Sequence, residues 1–212
     1  MVTSSTAGLL PLTIFAFAGA VTPGPNNTIA MLTGAHRGFR AVLPHLFGVP
    51  VGFALMTAIM GTGLGAVLLA FPTWSLALQA CGALYLLYVS WRLATSPVRG
   101  DAAGNTFRQL TFPQSVAFQA SNPKAWAMSL GTVTAFAAQS TGRLVAVIAI
   151  WSVANVLSIA AWAAMGEALI GLLKTPTRRR AFNILMAVLL ASTALAVLYS
   201  QVHAGNTVTA AR

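Results

Sequence analysis

The sequence predicts an all-α integral membrane protein with six transmembrane helices, arranged as two inverted three-helix repeats that each open with a broken helix. Three observations predict it. First, only 12 Lys or Arg and two Asp or Glu occur in 212 residues, 7% charged, against about 25% in an ordinary soluble domain. Second, residues 1–36, 41–91, 144–166 and 181–211 contain no Asp, Glu, Lys or Arg. Third, prolines and asparagines interrupt two of the apolar stretches, at Thr22–Asn27 and Ser121–Lys124. So few charges cannot coat a water-soluble fold, which excludes a soluble globular enzyme. A hydrophobic content of 57% excludes intrinsic disorder.

A spanning helix needs roughly 20 apolar residues, and the spans follow in order. Span 1 covers about residues 8–34. Residues 9–20 resemble a signal-peptide core ending in Ala18-Gly19-Ala20, but residues 1–8 lack a leader's positive charges, so the segment is expected to be retained. Span 2 covers about residues 43–70. It carries Gly48-x-x-x-Gly52 and Gly61-x-x-x-Gly65, small residues that let helices approach closely, within the chain or against a second copy in a homodimer.

Span 3 covers about residues 74–94, with Phe71-Pro72-Thr73 as the turn before it. Trp74 and Trp91 sit near its ends, about 25 Å apart at 1.5 Å per residue, which suits the two bilayer interfaces. The single cysteine, Cys81, excludes an intrachain disulfide or CxxC pair and reads as a small apolar packer. Span 4 covers about residues 114–138, span 5 about 144–173 and span 6 about 181–202.

The whole chain, 1–212, reads as one transmembrane transporter domain. Its first repeat covers about 8–94, a cytoplasmic loop about 95–113 and the second repeat about 114–202. Three spans per half make the second half enter from the opposite side, an arrangement common in secondary transporters.

The net charge of +10 raises the question of nucleic acid, but the basic residues are not gathered on one solvated face. Arg37 and Arg40 follow span 1, Arg92, Arg99 and Arg108 follow span 3, and Lys174, Arg178, Arg179 and Arg180 follow span 5. The other side receives only Arg143 and Arg212. This asymmetry makes the basic loops cytoplasmic and puts both termini outside.

The breaks carry the chemistry. In Thr22-Pro23-Gly24-Pro25-Asn26-Asn27 two prolines remove backbone donors and free carbonyls of the preceding turn. In lipid such groups must be satisfied by protein or a water-filled cavity. Ser121-Asn122-Pro123-Lys124 repeats the combination in span 4. Pro23 lies about 14 residues from the outer end of its span and Pro123 about 9 from the inner end of its own, so both fall in the middle-to-inner bilayer. Two interrupted helices in corresponding positions point to a transporter site.

Lys124 is the charge expected deepest in a span. A buried ammonium costs a few kcal/mol, so it should face the cavity and find a partner. Glu167 is the acid expected within a span, and either Lys124 or Arg178–Arg180 is its partner. Asn155 and Trp162 of span 5 are further lining candidates. A zwitterion suits such a site: helix N-termini and Lys124 favour its carboxylate, and freed carbonyls accept from its ammonium.

The run Thr22-Pro23-Gly24-Pro25-Asn26, then Gly38-Phe39-Arg40, with Asn122-Pro123-Lys124-Ala125 opening span 4, resembles the LysE/RhtB family of bacterial amino-acid exporters. The stretch from Gly82-Ala83-Leu84-Tyr85 to Trp91-Arg92-Leu93-Ala94-Thr95-Ser96-Pro97 is similar to its cysteine/O-acetylserine branch. The resemblance implies an inner-membrane efflux protein, not an enzyme, for amino acids or close derivatives of the neutral type, coupled to the ion gradient. Its substrate-binding residues would be Thr22, Pro23, Gly24, Pro25, Asn26, Asn27, Asn122, Pro123 and Lys124, with no cofactor. Relatives often carry acids in span 2, and this chain has none there.

Other classes fit less well. A serine protease needs a histidine base at span depth, and His36, His45 and His203 are expected near span ends or in loops. A six-span metal-ion transporter needs carboxylate, His or Cys ligands in the spans, where one Glu and one Cys occur. A non-transporting scaffold is the remaining alternative.

Overall fold

The structure, a computed structural model, describes residues 8–62, 72–95, 109–137 and 140–210. Among them are eight α-helices and no strand: α1 (Leu9–Val21), α2 (Pro25–Arg37), α3 (Leu43–Gly61), α4 (Pro72–Ala94), α5 (Phe112–Ser121), α6 (Pro123–Thr132), α7 (Thr141–Ala168) and α8 (Pro176–Ala210). Short 3-10 helices cover Phe39–Val42 and Leu169–Gly171, and a π-helical turn covers Val133–Ala137.

Proline sets most of the helix starts. α2, α4, α6 and α8 each begin on proline, and α3 and α5 have one at their second position. There the missing N–H has no intrahelical partner to lose, and the fixed φ suits the helix. This corrects the expected turn before span 3: Pro72 and Thr73 already belong to α4, while Phe71 lies outside the described residues. The basic cluster Arg178–Arg180 is likewise corrected from loop to the first turns of α8, which Pro176 opens. Arg178 N–H donates to Thr175 Oγ1 at 3.4 Å. Gly65, Arg99, Asp101, Arg108 and Arg212 lie outside the described residues, as do the side chains of Trp74 and His203.

By length and hydropathy, Phe39–Gly61, Thr141–Gly171 and Pro176–Ala196 can each cross a membrane, and Leu9–Val21 and Ala80–Ala94 are shorter apolar helices. Among the described residues, many large apolar side chains are exposed, including Phe47, Leu55, Val153, Leu157, Leu185 and Tyr199. Cys81 faces outward on α4 instead of packing inside, because the buried face of that helix is carried by Ala83, Leu86, Ser90 and Leu93.

α1 and α2 lie along α7, α3 packs on α5 and α7, and α4 lies along α8. One core joins α2, α4, α5 and α8 through Leu32, Leu86, Phe118 and Met186. A second joins α1, α3, α6 and α7 through Leu12, Phe53, Ala125 and Trp151. A third, of Ala30, Val49, Ile159 and Ala163, lies among α2, α3 and α7. The Gly48-x-x-x-Gly52 face of α3 is used within the chain, because a Cβ at either position would press on Ser115 or Val116 of α5.

The α2–α7 contact is close from both sides. A Cβ on Gly34 would collide with the Ala163 carbonyl, and one on Gly166 with the Met31 carbonyl, so each helix offers a bare backbone to the other. Gly34→Val is therefore expected to cost about 1–3 kcal/mol, read as a lower thermal midpoint of the purified protein in detergent. Gly142→Ala, whose added methyl meets nothing within 4 Å, should not lower the midpoint.

Candidate functional site

The first break begins where α1 runs out of donors. Thr22 N–H still bonds Ala18 O at 3.2 Å, but Pro23 and Pro25 have no N–H and Gly24 is fully extended (φ −173°). The carbonyls of Ala20, Val21 and Thr22 therefore lose their helical partners. The buried Asn27, in the first turn of α2, turns its Nδ2 back to all three, at 2.7, 3.4 and 3.0 Å.

Each of the three carbonyls then receives a second donor from another helix. Ser158 Oγ donates to Ala20 O at 2.8 Å and Trp162 Nε1 to Val21 O at 3.2 Å, both from α7. Lys124 Nζ donates to Thr22 O at 2.6 Å. Lys124 sits in the first turn of α6, immediately after the second break, where the buried Asn122 caps the helix by accepting from Lys124 N–H at 3.1 Å. One lysine thus ties the two breaks together.

A second tie runs beside it. The side chains of Asn26 and Gln119 exchange hydrogen bonds, Asn26 Nδ2 to Gln119 Oε1 at 2.9 Å and Gln119 Nε2 to Asn26 Oδ1 at 3.2 Å. Gln119 also donates to Ser115 O at 3.0 Å. His45 completes the chain. Its Nδ1 lies 3.0 Å from Ser115 Oγ and its Nε2 lies 3.2 Å from Asn26 O. His45, Ser115 and Gln119 are all at most 2% exposed. His45 does sit near a span end, as the third residue of α3, and its ring is nevertheless interior, facing the first break.

Between the breaks lies a cavity of about 30 Å³, lined by Gly24, Pro25, Asn26, Asn27, Asn122 and Lys124, with Phe53, Met128 and Trp151 as apolar wall. That volume holds one or two waters and is well short of an ordinary ligand site. The N-terminal residues of both α2 and α6 line it, so two partial positive helix ends and one ammonium converge there.

Nearly all of the nine predicted binding residues are thereby brought together. Thr22 joins through its carbonyl, Pro123 is buried at the start of α6, and Pro23 is exposed. Trp162 reaches the break, whereas Asn155 holds a buried Nδ2 with no hydrogen-bond partner among the described residues. Glu167 does not join them. Its carboxylate accepts from Phe39 N–H at 3.1 Å, capping the 3-10 turn after Gly38, whose φ of +82° suits glycine. Lys124 and Glu167 thus take separate partners, and neither expected partner of Glu167 is the one it bonds.

His45, Ser115, Gln119 and Ser158 were not among the predicted residues. A signal existed for two of them: Ser115, Gln119 and Asn122 recur at i, i+4 and i+7, one polar stripe in an apolar span.

The family model for LysE type translocators matches residues 17–201. The chain belongs to the LysE-type translocator family. It is 29% identical over 184 residues to the cysteine/O-acetylserine efflux protein of Escherichia coli (strain K12), covering 85% of this chain and 92% of that one. The proteins of that name from Shigella flexneri and Shigella sonnei (strain Ss046) match with the same identity and coverage. No solved structure matches. Family and apolar helices together make this LysE-type translocator a multi-pass membrane protein.

The closure of the first break depends most on Asn27. Asn27→Leu keeps the volume and withdraws the amide from the three carbonyls. It is expected to destabilise the protein by about 1–3 kcal/mol, measured as a drop in thermal midpoint in lipid nanodiscs.

Proposed function

We propose that this translocator exports amino acids or close derivatives of the neutral type across the bacterial inner membrane by proton antiport. Cysteine and O-acetylserine are the first candidates, after the relatives' names, and threonine, homoserine and leucine the next. The observation that carries the reading is the Lys124–Thr22 contact between two helix breaks.

The proposed architecture is six spans in two inverted repeats: α1–α2, α3 and α4, then α5–α6, α7 and α8, in one domain. Its support is a packing pattern that survives exchange of the halves. Span 1 packs on span 5 as span 4 packs on span 2, while span 2 meets span 5 and span 3 meets span 6. The basic loops are placed in the cytoplasm and both termini outside, and the protein works alone or as a homodimer.

In the proposed cycle Lys124 holds the place of the substrate's own ammonium. An entering carboxylate draws Lys124 off Thr22 O, and the substrate ammonium takes over that carbonyl. Asn26, Asn27 and Asn122 complete either end of the zwitterion. Because the cavity is so small, the two halves must part to admit substrate, first toward the cytoplasm and then outward. A metal-ion reading has less to rest on, since among the described residues no three His, Cys, Asp or Glu gather.

Uptake of radiolabelled cysteine, O-acetylserine, threonine, homoserine and leucine into inverted vesicles with an imposed pH gradient tests the reading, and at least one should accumulate. Lys124→Ala is expected to abolish uptake while still inserting, and a normal rate would overturn the central site. Glu167→Gln separates coupling from anchoring. The amide oxygen still accepts from Phe39 N–H, so an unchanged pH profile is expected, whereas a lost one would make Glu167 the proton carrier.

A further inference from the structure

We propose that His45 takes up and releases the proton that drives export, a role resting on the antiport reading above. A coupling group must be protonatable, buried near the substrate site and connected to the part that moves. Lys124 is committed to the cavity, and Glu167 is exposed and held by Phe39 N–H. His45 is buried and bonds directly to the broken backbone.

The hydrogen bonds define how the ring carries a proton. Asn26 O can only accept, so Nε2 bears the hydrogen, and Nδ1 of the neutral ring accepts from the Ser115 hydroxyl. A proton arriving from water adds to the Nδ1 lone pair. The Ser115 hydroxyl then turns its own hydrogen toward a carbonyl one helical turn back, and its oxygen accepts from Nδ1–H. Release reverses this, returning the proton to water on the other side. Neither contact is lost in either state.

The consequence reaches the cavity through Asn26. A charged imidazole donates more strongly than a neutral one, so the proton tightens the hold of α3 on the Asn26 carbonyl. The Asn26 side chain grips Gln119 of the opposite half and also lines the cavity. Proton and substrate therefore act on one residue from two sides. The titratable groups on elements packed against α3 are Arg40, His36 and Arg37, Lys124, Arg143 and Glu167, with none on α5. None of them bonds His45, whose ring nitrogens face Ser115 and Asn26.

The chain has three histidines, so nitrogen-15 NMR of histidine-labelled protein in bilayers reads them individually. The double variant H36Q/H203Q leaves His45 as the sole signal. His45 is expected to pass from the Nε2–H tautomer to imidazolium as the pH is lowered. In inverted vesicles His45→Gln, whose amide N–H can still donate to Asn26 O, should keep exchange of labelled for unlabelled O-acetylserine without a gradient. It should also lose the acceleration by a pH gradient that is expected of the native protein. A ring that stays neutral however far the pH is lowered within the folded range, or a His45→Gln protein that answers the gradient as the native one does, overturns the proposal. If the native protein moves none of the amino acids tested, the substrate reading fails, and the titration of His45 alone decides this one.

Discussion

Everything near the centre of this protein follows from three backbone carbonyls that an α-helix has abandoned. Ala20, Val21 and Thr22 cannot stay bare in an apolar interior, where an unmade hydrogen bond costs more than a made one returns. Asn27 serves all three, and Ser158, Trp162 and Lys124 each add a second donor. Those donors come from α7 and α6, so satisfying one strand of backbone fixes the placement of helices far apart in sequence.

The close helix approach makes this possible. Gly34 and Gly166 let α2 and α7 meet backbone to backbone, which brings Ser158 and Trp162 within reach of the break. Gly48 and Gly52 do the same for α3 against α5, and that contact sets His45 against Ser115. The small residues add little burial of their own. Their work is positional, and the polar chain from His45 to Gln119 exists because they leave room for it.

The breaks were legible in the sequence because proline chemistry is local: a missing N–H at Pro23, Pro25 or Pro123 disrupts the ladder whatever surrounds it. The residues gathered at the breaks were legible for the same reason. Partner choice was not. Nothing in the order of residues says that Asn26 meets Gln119, since 93 positions separate them. His45 looked peripheral because it is the third residue of α3, yet its ring is buried between Ser115 and the Asn26 carbonyl. Glu167 was expected to seek a cation and instead caps a backbone N–H, because Gly38 turns the chain so that Phe39 N–H faces it. Helix starts shifted where proline at the first position extended α4 and α8 by a few residues.

Synthesis proceeds from the N-terminus, and this gives the reach of Asn27 a further meaning. The first span enters the membrane well before Lys124, Ser158 or Trp162 has been made. During that interval the orphaned carbonyls have one available donor, an amide only five to seven residues further along the same span. The break thus carries its own provisional seal, which lets a discontinuous helix wait in lipid until the later helices arrive.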